Sequence, residues 1–264
     1  MHVSNTPTYT PPYSTCPGSI SNDGETPAAP RASRSKRGVA IPEKLWPQHK
    51  TLTIAFMDTP KSARKFIQKY IEENYSPLIN IKLKFVKGTE GDIRISTHKD
   101  IPGDWSRIGT DALNAPPDQP TLHLNTYATE DILKMNILHE FGHALGLHHE
   151  HQHPDRTVEF NTPSTYTLYN EKFGFDESTV DANILNKFDP ADITSAPYDQ
   201  QSIMHYNLSH RVLWQQPSTD YNLTLSNHDI AFLNTLYPPA SVEKKKPLTD
   251  REKFYLRMST RGLL

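Results

Sequence analysis

The segment from His139 to His149 reads H-E-F-G-H-A-L-G-L-H-H, and it constrains this chain more than any other stretch. On a helix, His139 and His143 lie four residues apart and project from one face. Both imidazoles can therefore reach a single metal ion through nitrogen at about 2.0–2.1 Å. Gly146 allows the positive φ that ends a helix and turns the chain sharply. After that turn His149 can come back as a third ligand. Three protein ligands leave a fourth position for water, the arrangement of a catalytic rather than a structural zinc site. With this composition, the five fixed positions of H-E-x-x-H-x-x-G-x-x-H would coincide by accident in roughly one chain in ten thousand. A surface helix that merely carries histidines is set aside on that ground.

The expected ligands are thus His139, His143 and His149, with one Zn2+ per chain. Glu140 sits beside the first ligand without being needed for coordination, and its carboxylate suits the general base that takes a proton from water and passes it to a leaving amine. Bound zinc lowers the pKa of its water toward about 7 and polarises a carbonyl as a Lewis acid.

A second, independent signal lies downstream, where Tyr198-Asp199 precedes Ser202-Ile203-Met204-His205-Tyr206. Taken alone, a methionine among core residues is gap filling. After the histidine motif it resembles the Met-turn of the metzincins, and the S-x-M-H-Y form resembles the astacin family. The resemblance also takes in Glu150 and His151, Asp155-Arg156, Leu225-Ser226 through Asp229-Ile230, and Leu236-Tyr237-Pro238. Upstream, Ile41 through Trp46-Pro47 looks like the start of a mature astacin domain, and Ile108-Gly109-Thr110 and Thr121-Leu122-His123-Leu124 fit its middle. It covers residues 38–240, most densely 139–156 and 198–206. The chain departs from the family pattern at Leu147, where phenylalanine is usual, and in its single cysteine, Cys16, which rules out a disulfide within one chain.

The resemblance implies an astacin-like zinc metalloendopeptidase of α+β, metzincin-like fold. It implies that Tyr206 stands near the zinc and swings to hydrogen-bond the oxyanion, that Met204 forms an apolar floor under the histidines, and that Glu150 meets a mature amino terminus, which here requires cleavage near Gly38. Two other readings compete with it. A catalytically silent zinc-bound protein-binding module of the same fold need not retain Glu140. A matrix-metalloprotease-like hydrolase does not account for Tyr206 after Met204-His205.

The 264 residues suit one catalytic domain with tails. Residues 1–37 are rich in Pro, Ser and Thr and read as a disordered leader, a possible propeptide ending in the basic run Arg34-Ser35-Lys36-Arg37. The catalytic domain is expected over 38–240, and a charged tail over 241–264. A net charge of −2 gives no argument for nucleic acid or an anionic membrane. No apolar run is long enough to span a membrane. The N-terminus lacks the basic start and apolar stretch of a secretory signal, which suggests a cytoplasmic or non-classically exported protein, whereas the family resemblance favours secretion. The compartment and the oligomeric state stay open. The partner expected is a protein or peptide substrate in extended form.

Alternation of polar and apolar residues predicts strands at 51–56, 81–86, 92–96 and 121–126. Helical spacing predicts a helix over 62–75, ended before Pro77, and another capped by Thr129 that carries the histidine motif to Leu145. Together they suggest a twisted mixed sheet with two packed helices. An irregular C-terminal subdomain follows, turn-rich over 150–205 and with short turns near 178–185. A closing helix over 226–236 is capped by Ser226, with Ile230, Leu233 and Leu236 facing inward. A peptide is expected to pair with the strand at 121–125. His148, His151 and His153 are expected to be solvated or to support the ligands. Arg211, if it lined the pocket beyond the scissile bond, would favour acidic side chains there.

Overall fold

A computed structural model describes residues 38–238. The expectations for residues 1–37 and for the tail, Cys16 and the basic run included, fall outside the described residues. The strands are Val39–Ala40 (β1), Thr51–Phe56 (β2), Lys82–Phe85 (β3), Ile93–Ser96 (β4), Trp105–Ser106 (β5), Leu122–His123 (β6) and Thr194–Ser195 (β7). The α-helices are Lys61–Tyr75 (α1), Glu130–Ala144 (α2), Thr162–Phe173 (α3), Glu177–Val180 (α4) and Asn227–Leu236 (α5).

The main sheet has the order β3-β2-β4-β6-β5, with β5 antiparallel to β6 and the other pairs parallel. A parallel neighbour requires a crossover, and α1 supplies it between β2 and β3. The alternation expected for β2 breaks down at its end, because Ile54, Ala55 and Phe56 are all buried. β4 is buried at every position. Central strands of a largely parallel sheet are covered on both faces, so they lose the alternation of a half-exposed strand. Both helices pack on the sheet around one core that includes Leu52, Ile54, Ile71, Ile95, Leu138 and Phe141.

The C-terminal region is built differently. Its small apolar cluster is Val158, Leu168, Leu208, Val212 and Leu213. Much of the rest is tied by side chains to backbone carbonyls. The guanidinium of Arg156 donates to His151 O at 3.0 Å and to Leu185 O at 2.6 Å, and the amide of Gln152 donates to Ala182 O at 2.8 Å. Within the stretch read as turn-rich stands a full helix, α3. Asn161 caps it by accepting from Ser164 N–H, and Gly174 ends it in the left-handed conformation at φ 69°.

The closing helix α5 starts as expected, with Ser226 accepting from Asp229 N–H and the Asp229 carboxylate accepting from Ser226 N–H. Its buried side is Asp229, Phe232, Leu233 and Leu236; Ile230 is only half-buried. No helix among the described residues is long and apolar enough to cross a membrane.

Candidate metal and catalytic site

Helix α2 delivers the first two histidines, and its two ends are fixed differently. Thr129 holds the N-cap position but makes no side-chain cap bond, so Glu130 and Asp131 in the first turn are left to favour the helix dipole. At the other end, Gly146 N–H donates to His143 O at 2.8 Å and Leu147 N–H to Gly142 O at 3.0 Å. This is a Schellman closure around Gly146 at φ 100°. The last-turn carbonyls would otherwise be buried without partners. Instead Trp46 Nε1–H donates to Ala144 O at 2.7 Å and Tyr237 O–H to Leu145 O at 2.6 Å.

His139, His143 and His149 converge, each offering a ring nitrogen within 4.8 Å of the others. The carbonyl oxygens that meet two of these rings fix their tautomers, because a carbonyl can only accept. His139 Nδ1–H donates to Ile203 O at 2.8 Å, and His143 Nδ1–H donates to Leu147 O at 2.7 Å. In both rings the lone pair is therefore on Nε2, facing the centre of the group. His143 Nε2 and His149 Nε2 stand 3.0 Å apart, near the roughly 3.3 Å expected between two ligands on one tetrahedral zinc. Desolvation holds His139 down to about 4 and His143 and His149 well below the ordinary imidazole value; for His139 and His143 it does so against the pull of those carbonyl bonds. Neutral imidazoles are the form that binds metal. The donor set and its geometry fit zinc.

Glu140 is buried beside this group and lines the same cavity. Desolvation, reinforced by the negative charge of Asp104, pushes its carboxyl well above the usual carboxylate range. Asp104 itself is raised by burial, although its carboxylate accepts from Asn125 N–H at 2.7 Å and from the Asn136 amide at 2.8 Å. Nothing in the sequence singles out Asp104. It follows a Pro-Gly loop, and only the tertiary fold brings it to Glu140.

The turn at 202–206 runs underneath. A Cβ on Gly142 would lie 2.7 Å from Met204 Sδ, so the absence of a side chain there lets the thioether approach the helix. Asp229 organises the turn: one carboxylate oxygen accepts from Ser202 Oγ–H at 2.6 Å, the other from Ile203 N–H at 2.8 Å. Ile203 O is the acceptor that orients His139, and Met204 O accepts from Glu150 N–H at 3.0 Å. Closing helix, turn and first histidine thus form one bonded chain. The Glu150 carboxylate accepts from Asp199 N–H at 2.9 Å, and burial, with help from the charges of Asp229 and Asp199, raises its pKa to about 8. The Tyr206 ring lies 4.3 Å from that of His149 and is stacked on His151 at 4.4 Å.

Three expectations need correcting. His148, His151 and His153 are all buried, which removes the solvated alternative and leaves the supporting one: His151 Nε2–H donates to Asn183 O, His153 bonds Ala196 O, and the His148 ring meets Phe188 edge-on. β6 has both edges occupied, by β4 and β5, so the edge available to a peptide belongs to β5, whose Trp105 and Ser106 line the cavity. Arg211 does not line that cavity; it is exposed beside Pro163, Ser164 and Thr167 on α3.

Comparison with known proteins agrees with this geometry. The family model for astacin, a family of peptidases, matches residues 39–238. The zinc metalloproteinase nas-36 of Caenorhabditis briggsae is 29% identical over 130 residues, covering 44% of this chain and 20% of the relative. The matched part therefore spans about a fifth of that relative's length. Among solved structures, myroilysin superposes with a TM-score of 0.70 at 29% identity, over 76% of this chain and 98% of its own. The hatching enzyme zinc-protease HCE-1 from Oryzias latipes (medaka) shares the fold, with a TM-score of 0.51 at 22% identity over 75% of this chain and 96% of its own.

Proposed function

The chain belongs to the astacin family of peptidases, and on that premise we propose that it is a zinc endopeptidase that cuts extended segments of protein substrates. His139, His143 and His149 would hold the metal. Bound zinc supplies Lewis acidity toward the scissile carbonyl and a lowered pKa for water at an open fourth position. The single observation that carries the reading is the convergence of three imidazoles beside a buried carboxylate that stands outside their group.

Each residue then has a task. A peptide strand laid along the outer edge of β5 completes the sheet and presents a carbonyl to the histidine group. Glu140 takes the proton of the attacking water and gives it to the departing amine; its buried setting raises its proton affinity toward the working range of a base. Tyr206, standing beside His149, donates its hydroxyl to the carbonyl oxygen as negative charge develops there. Asp229 acts only through Ile203, by fixing the carbonyl that orients His139. A silent binding module would have no use for Glu140 in this position.

The test combines metal removal with one substitution. Purified protein should hold one zinc per chain, lose peptide cleavage with 1,10-phenanthroline, and recover it when zinc is restored. Tyr206→Phe should keep the zinc and lose on the order of 10²-fold in kcat with KM nearly unchanged, as for removal of one oxyanion donor. Cleavage that survives demetallation would sink the reading.

A further inference from the structure

The histidine group opens into a cavity of about 1020 Å³. Its near side is the edge strand, with Trp105 and Ser106. Beyond His148 and Gln152 its far wall is made of Tyr169, Phe173, Phe175, Ile184 and Phe188. Tyr169, Phe173 and Phe175 touch one another, with ring centroids 5.6 to 6.4 Å apart. Phe173 remains 60% exposed at the rim, so apolar surface there is left for a substrate to cover.

The charges in the cavity point the same way. Two carboxylates line it, those of Asp104 and Glu140. No arginine lines it among the described residues, and Lys44 Nζ is engaged by Asp111 at 2.6 Å. Against the aromatic wall an acidic side chain would meet no arginine, and desolvating it there would cost more than contact returns.

We infer that the wall formed by α3 and residues 175–188 is a specificity pocket that selects a large apolar or aromatic side chain flanking the scissile bond and rejects Asp and Glu. This deepens the endopeptidase reading and rests on it. The pocket is continuous with Glu140, His143 and His149, so its occupant is part of the same bound peptide.

Binding and cleavage test it separately. The zinc-loaded Glu140→Gln protein is titrated with a short Gly/Ser/Thr peptide carrying one central Phe, and with the same peptide carrying Asp. The Phe peptide should bind roughly 10- to 100-fold more tightly. Phe173→Arg, at an exposed position, should shrink or reverse that ratio while zinc content and circular dichroism are unchanged, and Phe175→Arg repeats the test at a second point of the wall. Equal binding of the two peptides, or a ratio indifferent to both arginines, would overturn the pocket. In parallel, wild-type cuts in a mixed peptide library are mapped by mass spectrometry, with Phe, Tyr, Leu or Met expected beside the bond. Cuts beside Asp or Glu would refute the pocket and leave the endopeptidase standing. Selective binding with no cleavage at all would refute the endopeptidase and leave the pocket.

Discussion

The sheet-and-helix half, residues 38–148, and the half that follows, residues 150–226, line the same cavity but are held together by different means. The first rests on ladder hydrogen bonds and one extended apolar core. The second lends Ala196, Ile203 and Met204 to that core, but otherwise has a small apolar cluster of its own and is tied by Arg156, Gln152 and Asn222, whose side chains donate to carbonyls of residues distant in sequence. The first half supplies His139, His143 and Glu140 on a rigid helix; the second supplies the far wall and Tyr206. The seam is where the two are bonded together, through His139 to Ile203, Glu150 to Met204 and Glu150 to Asp199. The helix that carries two of the histidines thus rests on the extended core, while the irregular half carries the aromatic wall.

That contrast can be broken. The largest stability effect is expected from Ile54→Ala, which opens a hole in a fully buried β2 position and should cost about 2–5 kcal/mol. Leu208→Ala in the small cluster should fall at the low end of the same range, since a thin cluster collapses more easily into the space. Equal losses in urea unfolding would mean that the small cluster is packed as firmly as the extended core.

Next comes Arg156→Met, which removes the guanidinium that lies over the Phe160 ring and leaves the carbonyls of His151 and Leu185 without their donor. A loss of roughly 1.5–3 kcal/mol is expected, with faster amide exchange over residues 181–188 and none over β2. Exchange that rose equally in both regions would refute the local tie.

The smallest effect concerns acid. Asp92 clamps the sheet by accepting from Thr53 N–H and Oγ1–H and pairing with Lys50 at 3.0 Å. Burial raises its pKa, but these partners outweigh burial and bring it below the ordinary 3.8. A depressed carboxylate pKa stabilises the fold above the unfolded value, and the contribution is lost as pH falls through the folded value. The stability difference between wild type and Asp92→Asn should therefore be present near neutrality and vanish at acid pH below 3.8. The guanidinium and amide ties of the other half do not titrate there, so the Arg156→Met difference should persist. A difference for Asp92→Asn that ignored pH would remove this distinction.

The same contrast explains what can be read from the sequence. β2, α1, β3, β4 and α2 announce themselves through periodicity, because each lays one face or both on a common core. The candidate ligand set is legible because H-E-x-x-H-x-x-G-x-x-H is local: a helix face and one glycine turn are enough to bring the three rings together. Helix α3 is not, since its only buried residues are Thr165 and Leu168 and the pattern is too sparse to stand out. Its boundaries are nevertheless written in Asn161, Pro163 and Gly174. Asp104 and the aromatic wall are invisible in sequence for another reason, namely that only the packing of distant segments brings them to the site. The edge strand escapes a sequence reading because two residues, Trp105 and Ser106, carry no periodic signal yet take the outer position.

The most direct test of the account is the comparison of Glu140→Gln with wild type for zinc content and turnover on one fluorogenic peptide. The substitution keeps size and burial and removes only the group that takes the proton. The account predicts undiminished zinc, because the ligands are His139, His143 and His149, together with near-complete loss of kcat and little change in KM. Retained turnover would contradict Glu140 as the base, and lost zinc would place its carboxylate among the ligands instead.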